Sequence, residues 1–164
     1  IGNDMSRINN EIDKLLLNLG SRKSITEEDI EQYVGVSKEY NVFELQDALQ
    51  RKDLANAIRI IQYFGSNPKA APIQMILPAL YSFFSKVYML FGVPSGDEKS
   101  AVAATGIAPY FIKDYRLAEK NYEYAGIEQA LLLLHEYNLR SIGVNDTGTE
   151  DASLMKEMVW KIMQ

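Results

Sequence analysis

The chain has 164 residues, 47% of them apolar, with no cysteine and a single histidine, His135. That length and apolar share suffice for one buried core plus part of another domain. The missing cysteines exclude disulfides, thiolate chemistry and cysteine-bound zinc, and one histidine supplies no histidine pair for a metal.

The net charge of −5 divides into −3 over residues 1–40, with five Lys/Arg and eight Asp/Glu, and −2 over 41–164, with twelve and fourteen. Neither part has the basic excess by which a protein grips nucleic acid on charge alone. A cysteine-free composition fits a cytoplasmic setting. The first residue is Ile1, which leads at once into a helical pattern without a secretory signal, so the chain is expected to be cut from something longer.

Apolar residues recur at helical spacing almost throughout and nowhere alternate as in a strand, which predicts an all-α fold. Asp4 is placed to cap a first helix with Met5, Ile8, Ile12, Leu15, Leu16 and Leu19 on its stripe and Gly20 as its stop. Thr26 opens a second, with Glu27, Glu28 and Asp29 where the helix dipole favours negative charge and Ile25 and Ile30 at staple spacing; it ends near Gly35. Asn41 and Glu44 read as a capping box for a third helix to about Lys52, with Tyr40 and Leu45 as its staple. Asp53 caps a fourth, with Leu54, Ala57, Ile58, Ile61 and Phe64 on one stripe and Gly65 as the stop.

The helix over 72–91 is the most apolar. Ile73, Ile76, Leu77, Leu80, Phe83, Phe84, Val87, Leu90 and Phe91 form a wide stripe, Pro78 should kink it, and only a narrow polar strip remains. Such a helix lies centrally in a bundle or against a partner, while Lys86 and the serines interrupt it as a membrane span. Asp97 to Thr105 reads as a short helix stopped by Gly106. Two further helices are expected over 109–124 and 127–142, then a polar loop over 143–150, then a last helix on Leu154, Met155, Met158, Val159 and Ile162.

Chemistry is scarce along this chain. His135 and Glu136 are neighbours on a helix and point roughly 100° apart, so they form no aimed dyad, and no second histidine follows at metalloprotease spacing. Neither glycine-rich phosphate motif occurs, and a di-iron bundle needs two Glu-x-x-His motifs where one histidine is present. No catalytic residue, cofactor site or metal site is expected.

Two surfaces stand out. Lys113, Arg116 and Lys120 fall on one helical face with Tyr110, Tyr115, Tyr122 and Tyr124 interleaved, as in single-strand nucleic-acid binders, although Asp114, Glu119 and Glu123 nearly cancel their charge. Tyr81, Tyr88 and Met89 widen the stripe of the 72–91 helix; they are either plain core or an intersubunit surface, since Tyr and Met are enriched at interface centres.

Four stretches, in order, resemble the delta-type subunits of the AAA+ clamp loaders of bacterial DNA polymerase III. They are Gly2-Asn3-Asp4 through Asn10-Glu11-Ile12-Asp13-Lys14-Leu15, Ile25-Thr26-Glu27-Glu28-Asp29-Ile30, Asn41-Val42-Phe43-Glu44-Leu45-Gln46-Asp47-Ala48-Leu49, and Gly106-Ile107-Ala108-Pro109-Tyr110. The resemblance spans essentially the whole chain.

It implies the end of a helical lid domain over 1–40 and a helical-bundle collar, the oligomerisation domain, over 41–164. Partners would be the gamma/tau and delta-prime type subunits through the collar, primed DNA in the whole complex, and the sliding clamp only through a nucleotide-fold domain preceding Ile1; no membrane is implied. The chain itself would be non-catalytic, a DNA-directed DNA polymerase and nucleotidyltransferase component by association alone. Aligned on Gly2, Met5 stands where ATP-using relatives place a phosphate-contacting arginine, which suits a non-ATPase subunit. Asn138 and Ile142 depart from the acid and lysine expected late in their helix. The helix over 72–91 and the last helix are the expected partner-facing elements, through Tyr81, Tyr88, Met89, Met155 and Met158.

Overall fold

The structure is a computed structural model describing residues 12, 13, 15–17, 19, 22, 24–26, 29, 40–69, 71–146 and 148–164. The described residues contain helix and turn and no strand, an all-α fold. The chain divides into two compact units, Ile1–Glu39 and Tyr40–Gln164.

In the first unit residues 12, 13, 15–17 and 19 are helical, with Leu15 and Leu19 buried and Leu16 and Leu17 exposed. Asp4, Met5, Ile8 and Gly20, and most of the helix expected after Thr26, lie outside the described residues. The start of that helix is described. The Thr26 backbone N–H donates to Asp29 Oδ2 at 3.0 Å and the Asp29 N–H returns to Thr26 Oγ1 at 3.3 Å, a reciprocal cap. Arg22 adds a forked pair to both Asp29 oxygens at 3.1 and 2.7 Å. The Arg22 guanidinium, aided by Thr26, holds the Asp29 carboxyl below the ordinary carboxylate range.

Among its described residues the second unit is a bundle of six α-helices. The first, α1 (Val42–Gln50), opens on the expected capping box: Asn41 Oδ1 accepts from the N–H of Phe43 at 2.9 Å and of Glu44 at 3.2 Å, and Glu44 Oε2 accepts from the Asn41 N–H at 3.1 Å. Lys52, at φ 52°, turns the chain sharply, and Asp53 caps α2 (Leu54–Ser66) through the Asn56 N–H at 3.0 Å. The third helix, α3 (Ile73–Leu90), runs through Pro78 as one element. Asp97 caps α4 (Glu98–Thr105), which Gly106 closes in the left-handed region at φ 65°. A 3-10 turn (Pro109–Phe111) leads into α5 (Ile112–Ser141), and α6 (Asp151–Ile162) ends the chain.

The long apolar helix occupies the centre. Ile73, Ile76, Leu77, Leu80, Phe83, Phe84, Val87 and Leu90 are all buried, packed chiefly on α5 with α1, α4 and α6 also touching α3. Among the described residues α3 is the one helix with the length and hydropathy to span a membrane, with a mean hydropathy of 1.3. Its burial against the other helices makes it a core helix.

One expectation needs correction, and one junction shifts. Gly65 does not stop α2, because the helix continues to Ser66 and then the Asn67 side-chain amide caps it on the Tyr63 carbonyl at 2.9 Å. Gly65 instead lets α2 approach α6: a Cβ there would stand 2.8 Å from Ala152 Cβ. The two helices expected over 109–124 and 127–142 are present and run on from one another as α5, with the break between them at Glu123 (φ 56°, ψ 175°), slightly before the Ala125-Gly126 pair. That backbone conformation is nearly exclusive to glycine.

The C-terminal end of α5 is tied to α6 by ions. Arg140 reaches Asp146 at 2.8 Å and Glu157 at 3.1 Å, and Lys161 reaches Glu157 at 2.9 Å. Lys161, with Arg140 beside it, holds the Glu157 carboxyl down at about 2.

Two outcomes are expected from chemical denaturation. Gly65→Ala should destabilise the bundle by roughly 1–3 kcal/mol through overpacking, with Ala152→Gly restoring much of the loss. Glu123→Gly, although a glycine inside a helical run, should raise stability by about 1 kcal/mol by removing backbone strain.

Candidate docking groove

The stripe that fixes α1 in the core consists of Leu45, Ala48 and Leu49. Phe43 lies off that stripe and is 73% exposed. The turn after Gly106 does the same for a second ring: Ile107 turns inward to a small cluster with Leu90, Ala101 and Ile112, while Phe111 at the end of the 3-10 turn remains 51% exposed. The turn itself is fixed by Thr105, whose hydroxyl donates to the Ala101 carbonyl at 2.6 Å and accepts from the Ile107 N–H at 3.2 Å.

Phe43 and Phe111 stand at the mouth of one groove of about 310 Å³ between α1, α3 and the start of α5. Its floor is Phe83, Ile107 and Tyr115, the rings of Phe83 and Tyr115 packing 5.0 Å apart. Burial pushes the Tyr115 phenol above its ordinary value, so it stays neutral.

The rim is polar: Gln46, Asp47, Gln50, Lys86 and Asp114. Asp47 is paired with Arg51 at 2.9 Å and accepts from Gln50, whereas Lys86 and Asp114 make no ion pair among the described residues. Asp47 first, and Asp114 by its field, hold the Arg51 pKa above the usual value. An apolar concavity with a few convergent polar groups is the form of a recognition site. Exposed aromatics rimmed by charge are typical of protein docking.

The residues singled out from sequence are not brought together here. Tyr81, 55% exposed, borders a separate shallow groove of about 290 Å³ with Leu77, Pro78, Leu134, His135 and Asn138. Met89 is half exposed, and the half-buried Tyr88 shares a hydroxyl–hydroxyl bond with Tyr124. Met155 and Met158 are fully buried where α6 packs on the core, so they face inward and cannot meet a partner in this arrangement. Among the described residues no cluster of His, Cys, Asp and Glu is arranged to hold a metal.

The basic face expected around Arg116 also dissolves. Arg116 Nη1 donates to the Leu90 carbonyl at 3.0 Å and to Glu119 at 2.8 and 3.0 Å, and Nη2 donates to the carbonyls of Val93 at 2.9 Å and Pro94 at 3.2 Å. The guanidinium therefore serves as the cap of the α3 C-terminus, where the dipole favours a cation. Lys113 and Lys120 are exposed but stand among Asp114, Glu119 and Glu123, which leaves no positive stripe for a phosphate backbone.

The groove itself was missed in reading for chemistry. Its signal was a phenylalanine off the apolar stripe of a nine-residue helix. No known protein family, curated protein or solved structure matches the chain.

Arg116→Ala should lower stability by about 1–3 kcal/mol, because three carbonyls at the end of α3 and its following turn lose a charged donor. Lys113→Ala and Lys120→Ala should each stay within about 0.5 kcal/mol of the parent. Urea titrations of the three variants make the comparison.

Proposed function

We propose that the chain is a non-catalytic, cytoplasmic docking module of the delta type of clamp-loader subunit, whose bundle joins sister subunits into the assembly that places the sliding clamp on primed DNA. One observation carries the reading. Two of the four stretches that resemble that family, 41–49 and 106–110, lie far apart in sequence yet meet at one surface groove. The first contributes Phe43 to its mouth, and the second contributes Gly106, Ile107 and Ala108 to its wall and leads directly into Phe111. Residues that share a pattern and also share a surface fit a binding role better than a packing role.

In this reading the bundle is a fixed hub. Apolar burial at the groove supplies association free energy at about 25 cal/mol per Å², from which the cost of ordering is subtracted. The ATP-driven movements belong to sister subunits, and the hub holds one end of them still. The reading assigns lid residues to 1–40 and the collar to 41–164.

The test is co-expression with the gamma/tau and delta-prime type clamp-loader subunits of one bacterium, followed by affinity purification on a tag carried by this chain. Sister subunits should be retained and the sliding clamp should not. Phe43→Asp together with Phe111→Asp should abolish retention while leaving the helical circular dichroism intact. A folded chain that retains no sister subunit sinks the reading.

A further inference from the structure

We infer that the groove between α1, α3 and α5 also accepts α1 of a second copy of this chain, the Phe43 ring of each protomer entering the groove of the other. The groove's floor of Phe83, Ile107 and Tyr115 is apolar, and among the described residues Lys86 on its rim makes no ion pair. Phe43 holds a large apolar ring out in water at 73% exposure. One turn further along the same face of α1, at i+4, stands the Asp47 carboxylate. The helix thus offers an apolar anchor with a half-exposed acid beside it, held by Arg51 on one oxygen, and the groove offers an apolar seat with an ammonium beside it.

Because anchor and seat lie on one patch of one chain, the pairing is self-complementary, as a two-fold interface requires. Charge points the same way. The chain carries −5 overall, whereas the patch holds Asp47 and Asp114 against Lys86 and Arg51 and is balanced. Two copies therefore repel least when they meet through this face, and the opposed charges fix their register. The pairing needs only that the groove docks protein; it goes beyond the clamp-loader reading and stands without it.

Sedimentation velocity of the 164-residue protein over roughly 1 μM to 1 mM, the range of modest association energies, reads the outcome. A monomer–dimer equilibrium is expected. Phe43→Asp should weaken it at least about tenfold, as removal of a central anchor does, with an unchanged unfolding midpoint because the ring is exposed. Lys86→Glu should weaken it as well, and adding Asp47→Lys to Lys86→Glu should restore it. A chain that stays monomeric throughout, or a dimer that Phe43→Asp leaves intact, overturns the inference. Sedimentation reads self-association of the chain alone and the co-expression experiment reads retention of sister subunits, so failure of one reading is told apart from failure of the other.

Discussion

Eight side chains of α3, from Ile73 to Leu90, are withdrawn from water together, and no single neighbour could cover them all. Each is worth about 1.5–3 kcal/mol when fully buried, so the helix gathers α1, α4, α5 and α6 around itself. The remaining devices of the bundle finish what that burial begins. Arg116 closes the carbonyl end of α3, Gly65 lets α2 and α6 close in beside the core, and the Arg140–Glu157–Lys161 network fastens the last helix.

Much of this is legible in the sequence because it is local. The box of Asn41 and Glu44, the caps of Asp53 and Asp97 and the left-handed Gly106 involve groups within a few residues of each other. The apolar stripe of α3 is periodic and long, and every residue of it but Phe91 is buried. What sequence could not supply is the identity of partners far along the chain. Gly65 looks like a helix stop until Ala152 is brought against it. Arg116 looks like a free cation until the carbonyls of Leu90, Val93 and Pro94 converge on it. Methionines 155 and 158 suit an interface by residue type but sit on the inward stripe of α6.

The groove was legible in part. The rings at its mouth belong to short elements, α1 and the 3-10 turn, whose apolar patterns are too brief for an off-stripe aromatic to stand out. The rim charges come from three different helices, and only their convergence gives them meaning. Tyr137 illustrates the opposite limit. It is fully buried, its ring covered by Arg140 and Lys161 and its hydroxyl set toward the Glu157–Lys161 pair, and nothing in the pattern of α5 announces that a tyrosine there would meet those charges.

The end of α1 has a bearing on how the chain acquires its shape. The carbonyls of Leu49 and Gln50 are completed by the Tyr122 hydroxyl at 2.9 Å and the Asn121 amide at 2.7 Å, 73 and 71 positions later in the sequence. Lys52, in the turn that follows, lies over the Tyr122 ring at 4.8 Å. A nine-residue helix is too short to persist in water on its own. Its C-terminus is therefore finished by groups that only α5 brings to it. For an all-helical chain, whose contacts are ordinarily close in sequence, the surface that Phe43 helps to form depends on closure by residues far along the chain.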